Sequence, residues 1–145
     1  ELGLNAELTR NWKGTLAYTY QDVEVVEAGG AGATNGKQLT DKPQHLAKAW
    51  LDYTVNSGHL QGLGIGAGVR YTGTSWADSD NTIKYPAATL VDASISYDLA
   101  DTRFQLSVNN LFDEQPVYCS GRSATSTCDY GVPRSIVASI THQLF

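Results

Sequence analysis

The chain has 145 residues, a formal net charge of -5, 17% charged residues, 14 glycines, 8 tyrosines and no methionine. An average soluble domain carries roughly 25% charged residues and about 7% glycine, so the composition is short of charge and shifted away from helix. Its negative charge offers no field to a phosphate backbone, which excludes nucleic acid as the expected partner. No apolar run reaches the roughly 18 residues of a membrane helix, and the opening Glu-Leu-Gly-Leu has no basic stretch or cleavage site of a secretory signal.

From the N-terminus onward the dominant period is two. Leu2, Leu4, Ala6 and Leu8 alternate with Gly3, Asn5, Glu7 and Thr9, and Leu16, Tyr18 and Tyr20 alternate with Thr15, Ala17 and Thr19. A third run sets His45, Ala47, Ala49, Leu51, Tyr53 and Val55 against Leu46, Lys48, Trp50, Asp52 and Thr54. Leu63, Ile65, Ala67, Val69 and Tyr71 follow, interleaved with Gly62, Gly64, Gly66, Gly68 and Arg70. Val91 to Tyr97 alternates with Asp92, Ser94, Ser96 and Asp98, and Phe104, Leu106 and Val108 with Arg103, Gln105, Ser107 and Asn109. A seventh run over residues 134–145 ends on Phe145. All seven are predicted strands with one apolar face.

The predicted connections alternate in length. Tight turns are expected at residues 11–14, 56–59 and 99–102, and long polar loops at 27–44, 73–88 and 113–133. Short turns at one rim and long loops at the other are how outer-membrane barrels are built, and loops longer than about 12 to 15 residues are usually functional. Several runs approach the nine to eleven residues that cross a tilted bilayer path. The apolar face then meets lipid, while Lys48, Asp52, Arg70, Asp92, Asp98, Arg103 and Asn109 suit a wet lumen. The alternative is a soluble antiparallel sheet with its polar face in water. Single-chain bacterial barrels have even strand counts, so seven strands starting without a cap are expected to be the C-terminal portion of a larger barrel, residues 1–145 forming part of one barrel domain.

Chemistry-bearing constellations are few. Gly62 to Gly68 fails the dinucleotide fingerprint, because Ala67 stands where the third glycine is needed and no helix pattern follows. Glycine at every second position is expected instead as a bare strand face: it permits a plug or backbone to approach the inside wall, and the plainer reading is a slim strand in a crowded lumen. Cys119 and Cys128 lie in the last long loop. With His45, His59 and His142 scattered, a zinc site lacks ligands; a disulfide is expected, worth on the order of 3 kcal/mol in an oxidising compartment, with two free thiols the alternative. No paired carboxylates, G-x-S-x-G or H-E-x-x-H pattern suggests an enzyme. Tyr18, Tyr20, Tyr71, Trp76, Tyr85, Tyr118 and Tyr130 collect near strand ends and loops, either as interfacial girdle residues or, for the loop residues Trp76, Tyr85, Tyr118 and Tyr130, as ligand contacts.

Gly68-Val-Arg-Tyr-Thr-Gly-Thr-Ser75 with Asn81-Thr82, Pro86-Ala-Ala-Thr-Leu-Val-Asp-Ala93 with Ser96-Tyr97-Asp98-Leu99, and Leu106-Ser-Val-Asn-Asn-Leu-Phe-Asp113 resemble the closing strands of TonB-dependent ferric siderophore receptors. The resemblance covers essentially the whole chain, and Asn109-Asn-Leu-Phe-Asp113, an Asx-rich turn into the last loop, is its most specific piece. Cys119 and Cys128, followed by Tyr130-Gly131 and Arg134, are similar to the last loop of the hydroxamate branch, which takes ferrichrome and ferrioxamine. Family membership implies an outer-membrane, up-and-down all-β barrel of 22 strands, of which these are the last seven. It also implies a plug domain and TonB box outside this chain, TonB-ExbB-ExbD as partner, contact with lipid and lipopolysaccharide, and Phe145 as the terminal aromatic read by the barrel-assembly machinery. The iron travels inside the siderophore, so no cofactor or protein metal ligand is implied. Two features depart from the family: Gln143 stands where an aromatic usually precedes the terminal Phe, and Asp129 and Pro133 replace residues common in that loop. The shifted phase of Leu144 relative to Phe145 predicts a bulge or register change near the terminus. A receptor for cobalamin or a sugar, or a passive porin, shares such a wall.

Overall fold

The computed structural model describes residues 1–27, 34–120 and 127–144, with the side chains of residues 118–120 and 127–128 left aside. Its elements are β1 (Leu2–Glu7), β2 (Trp12–Tyr20), β3 (His45–Thr54), β4 (Leu63–Thr72), β5 (Ser75–Trp76), β6 (Lys84–Tyr85), β7 (Ala88–Leu99), β8 (Thr102–Asn109), β9 (Val117–Ser120), β10 (Thr127–Tyr130) and β11 (Ser135–His142). Seven of them form one antiparallel sheet in the order β1-β2-β3-β4-β7-β8-β11, each long strand beside its successor. The other four make two small hairpins, β5-β6 and β9-β10, inside the second and third long loops. Among the described residues no helix is long and apolar enough to cross a membrane.

The register converts seven separate alternations into two continuous faces. The ladder Leu4-Leu16-Ala49-Val69-Val91 crosses five strands, and Ile95-Leu106-Ala138 continues the same face to β11. Asn5-Thr15-Trp50-Gly68-Asp92 crosses the same five strands on the opposite face. Because directly paired residues point the same way and a slip of one would exchange the faces, the two patterns fix each other. The apolar face has nothing packed on it: Leu4 is 55% exposed and Ile140 71%. Among the described residues the buried hydrophobics are Ala77 and Tyr85, both in the second long loop. A soluble sheet must bury its apolar face under a second layer, and the described residues supply none.

Aromatic rings mark both ends of that face. Tyr18, Tyr20 and Tyr71 stand at the long-loop end, where the Tyr18 hydroxyl lies 2.8 Å from His45 Nδ1 and the Tyr20 ring 5.2 Å from the His45 ring. Trp12, Tyr53, Tyr97 and Phe104 stand at the turn end, with Trp12 and Tyr53 centroids 4.8 Å apart. From Trp12 to Tyr20 is about 26 Å along the strand at ~3.3 Å per residue, or about 20 Å along a membrane normal at a tilt near 40°, the scale of a lipid-facing band between girdles.

The short connections fall close to their predicted places, with two differences: the first is displaced, and the second runs over residues 55–62 where a tight turn at 56–59 is expected. The first turn lies at residues 8–11 rather than 11–14, since Trp12, Lys13 and Gly14 already pair with Tyr53, Asp52 and Leu51. Thr9 Oγ1 accepts the amides of Asn11 and Trp12 at 3.2 and 3.1 Å, which closes the turn early and returns Trp12 to the sheet beside Tyr53. The second connection spans residues 55–62 and ends at Gly62, whose φ of 91° and a Cβ position 2.5 Å from Asp98 O leave room only for glycine. The third turn is Ala100-Asp101, with Ala100 at φ 50°. Neighbouring turns are laced together: Asn11 Nδ2 donates to Thr54 O at 2.7 Å and Asn56 Nδ2 to Arg10 O at 2.6 Å. In β11 the register with β8 runs unbroken from Ser135↔Asn109 to His142↔Thr102, so the expected bulge is absent over these residues; Phe145 lies outside the described residues.

Candidate functional site

The long loops all leave the same end of the sheet, and two of them are fastened together through Gln38. Its backbone N–H donates to Asn81 Oδ1 at 2.7 Å, and Asn81 Nδ2 donates back to Gln38 O at 2.9 Å. The side chain of Asn81, held at φ 56°, thereby imitates a strand neighbour. The Gln38 side chain accepts Trp76 Nε1–H at 2.9 Å and donates to Asp22 Oδ1 at 3.1 Å. Below it, Asp78, 5% exposed, accepts the backbone amides of Thr82 and Ile83 and the Thr82 hydroxyl at 2.7 Å, closing the β5-β6 hairpin.

These contacts decide what the loop aromatics do. The Trp76 indole N–H is taken by Gln38, and Lys84 Nζ sits 4.4 Å from its ring centroid. Tyr85 is 6% exposed and packs under the loop rather than at its surface. Tyr130, on the other hairpin, is 70% exposed. Tyr118 pairs in register with Asp129, but its side chain lies outside the described residues. The four candidates therefore sit on two separate hairpins, and of those whose side chains are described Tyr130 is the most exposed. Cys119 and Cys128 are directly opposed in the β9-β10 register; their side chains also lie outside the description.

The root of the third loop is a polar knot that sequence reading registered only as an Asx-rich turn. Asn110, 2% exposed and at φ 55°, donates from Nδ2 to Glu114 O at 2.8 Å and Val132 O at 3.1 Å, and accepts Glu114 N–H at 2.9 Å. It thus holds both arms of the loop. Asp113 Oδ1 accepts the Arg134 amide at 2.8 Å. The Asn110 amide in turn donates to Asp92 Oδ1 at 2.8 Å, and Asp92 takes a two-pronged pair from Arg70, Nε to Oδ2 at 2.6 Å and Nη2 to Oδ1 at 2.9 Å. The available signal was the polar-face placement of Arg70 and Asp92; their partnership needs the tertiary register.

The glycine lane of β4 is also redefined. A Cβ built on Gly66 would stand 2.6 Å from Trp50 Cζ2 and from Asp52 Oδ1, and one on Gly68 would run into the Trp50 ring. Gly66 and Gly68 are the bed on which Trp50, from the neighbouring strand, lies down, the crowding of a slim strand's lumen face. Two further ion pairs lie on the same polar face: Lys13 with Glu7 at 2.9 Å and Arg103 with Asp98 at 2.7 Å. Towards the long-loop end, a cavity of about 350 Å³ is lined on that face by Leu46, Lys48, Arg70, Thr72 and Leu90, with Pro116 of the third loop beside them. Among the described residues no group of His, Cys, Asp and Glu could hold a metal ion.

Residues 1–111 match the family described as TonB dependent receptor-like, beta-barrel. The chain belongs to the TonB-dependent receptor β-barrel family. It is 36% identical to the ferrioxamine B receptor of Salmonella typhimurium over 97% of this chain and 20% of that protein. It is likewise 36% identical to the ferrichrome outer membrane transporter/phage receptor of Escherichia coli K12, over 97% of this chain and 19% of that protein. The siderophore receptor PiuA of Acinetobacter baumannii superposes with a TM-score of 0.75 at 28% identity, covering 95% of this chain and 20% of that one. The chain thus spans about a fifth of the curated relatives it matches. As a TonB-dependent receptor barrel it is an outer-membrane protein. Its uncovered apolar face with ring-marked borders is the lipid-facing wall, its polar face looks into the lumen, and its long loops face outward.

Proposed function

We propose that this chain is the C-terminal wall segment of an outer-membrane transporter that takes up an iron-siderophore chelate. It supplies the last seven strands of a 22-stranded barrel and three surface loops. The observation that carries the reading is the two-faced seven-strand meander with every long loop at one end, joined to the identity with ferrioxamine B and ferrichrome receptors over nearly the whole chain. The exposed ring of Tyr130 is the loop contact we assign to the chelate's organic shell, with Tyr118 as a second candidate on the same hairpin and Trp76 and Tyr85 shaping the loop opposite. Iron enters as substrate inside the chelate, so the reading asks no metal ligand or cofactor of the protein, and no enzymatic step. TonB-ExbB-ExbD powers release through a plug and TonB box elsewhere in the receptor; lipid and lipopolysaccharide surround the wall, and Phe145 is the terminal residue offered to the barrel-assembly machinery. Directly opposed residues of an antiparallel pair have Cα atoms about 4.5 or 5.5 Å apart, both within the range a disulfide spans, which supports a Cys119-Cys128 bridge across β9 and β10.

The test is uptake of radioactive iron as ferrichrome and as ferrioxamine B, by cells whose only hydroxamate receptor is the complete protein carrying this segment. Accumulation that requires TonB is expected. Uptake that persists without TonB would instead identify a passive porin, and TonB-dependent uptake of cobalamin or a sugar with neither chelate would move the substrate class.

A further inference from the structure

On the lumen face of the seven strands, each cation but one has a carboxylate partner among the described residues. Lys13 has Glu7, Arg70 has Asp92 and Arg103 has Asp98. Lys48 has none. Its register partners are Ala17 on β2 and Arg70 on β4, so two like charges stand directly opposite each other, an arrangement that destabilises a sheet. The neighbours along its own face of β3 are Leu46 and Trp50, which relieve nothing. Arg70 is neutralised by Asp92, leaving Lys48 as an uncompensated positive charge in the cavity beside Leu46, Thr72, Leu90 and Pro116. That cavity lies three residues from the loop end of β3, on the route from the outer surface into the lumen. Departures from local design rules concentrate at functional sites, and an unpaired charge in a cavity lined by Leu46, Leu90, Pro116 and two threonines discriminates among ligands by their charge.

We propose that Lys48 is a specificity-determining residue of the uptake path: it selects neutral or anionic ferric chelates and disfavours a chelate that carries a free ammonium group. The proposal rests on the siderophore reading above and adds a charge rule to it. Ferrioxamine B ends in a primary amine; its N-acetylated form keeps the iron cage and loses that charge, so the two differ at the feature Lys48 is proposed to read.

Binding of both ferric chelates to the complete receptor in outer-membrane vesicles is the experiment, with wild type, Lys48→Gln and Lys48→Arg compared. At separations under a Debye length in a partly wet lumen, one like charge is expected to weaken the ammonium-bearing chelate roughly fivefold relative to its acetylated form. Lys48→Gln should bring that ratio to about one, and Lys48→Arg should keep it. Unboiled electrophoretic mobility confirms that each variant is folded. Equal binding of the two chelates by wild type, or a ratio that Lys48→Gln leaves unchanged, overturns the charge rule while leaving the siderophore reading in place. A Lys48→Gln receptor that merely loses heat resistance at constant ratio would show that Lys48 is neutralised by a carboxylate elsewhere in the receptor, and overturns it too. Binding of neither chelate by wild type removes the hydroxamate reading and the charge rule with it.

Discussion

Replacing Leu16 and its neighbour Thr15 by arginine, one at a time, tests the assignment of the two faces at single-residue resolution. Leu16 lies midway along β2 between Trp12 and Tyr20, on the apolar face opposite Leu4 and Ala49. Four residues separate it from each ring, about 13 Å along the strand or about 10 Å along the normal at a tilt near 40°, which puts it near the bilayer midplane. Arginine there costs about 2–4 kcal/mol, a loss of roughly 30- to 900-fold in the folding equilibrium at 1.36 kcal/mol per decade. Thr15 points the other way, paired with Asn5 and Trp50, where an exposed substitution changes stability by about 0.5 kcal/mol at most. The assay is the folded fraction of the complete receptor in lipid vesicles across a urea series, read by unboiled electrophoretic mobility. Equal losses for the two variants, or a larger loss for Thr15→Arg, would refute the face assignment and with it the register argument.

Three further outcomes are expected. Asn110→Ala removes three side-chain hydrogen bonds at about 1 kcal/mol each and places alanine in a left-handed conformation costing a further 1–2 kcal/mol. Protease cleavage within residues 111–134 should accelerate while the barrel keeps its mobility, and Asn110→Gly should be milder by about 1 kcal/mol because glycine tolerates the φ of 55°. Gly68→Val should dislodge Trp50, cost about 1–3 kcal/mol by overpacking, and shift Trp50 emission in a chain lacking Trp12 and Trp76; Gly3→Val, which meets nothing within 4 Å, should do neither. If Cys119 and Cys128 are bridged, a bulky maleimide should add no mass to the denatured protein before reduction and two additions after it, and labelling without reductant would remove the bridge.

The strand pattern was legible in the sequence because a wall between lipid and water must alternate with the period of the backbone itself. Seven runs, their apolar phases and the alternation of short and long connections all follow from that constraint, and the observed sheet keeps them. The first turn was read three residues late because Asn11, Lys13 and Gly14 look like turn chemistry, while the hydroxyl that closes the turn belongs to Thr9. The girdle at the turn end was missed for a related reason: Trp12, Tyr53, Tyr97 and Phe104 are far apart in the chain and become one belt only through the register. Among the loop aromatics, residue type alone could not separate an exposed ring from one that builds the loop. Tyr85 is buried and the Trp76 indole N–H is committed to Gln38.

The low charge and the abundance of glycine and tyrosine follow from a surface that faces lipid on one side, and the sequence by itself determined that two-faced character, because alternation is a local property of an extended chain. What only the tertiary structure decided was partnership. Arg70 with Asp92 and Asn110, Gln38 with Asn81, Trp50 with the glycines of β4, and Lys48 with no carboxylate among the described residues depend on which strands lie side by side and in what register. The contacts among them join residues 16 to 43 positions apart, and no local periodicity carries that information.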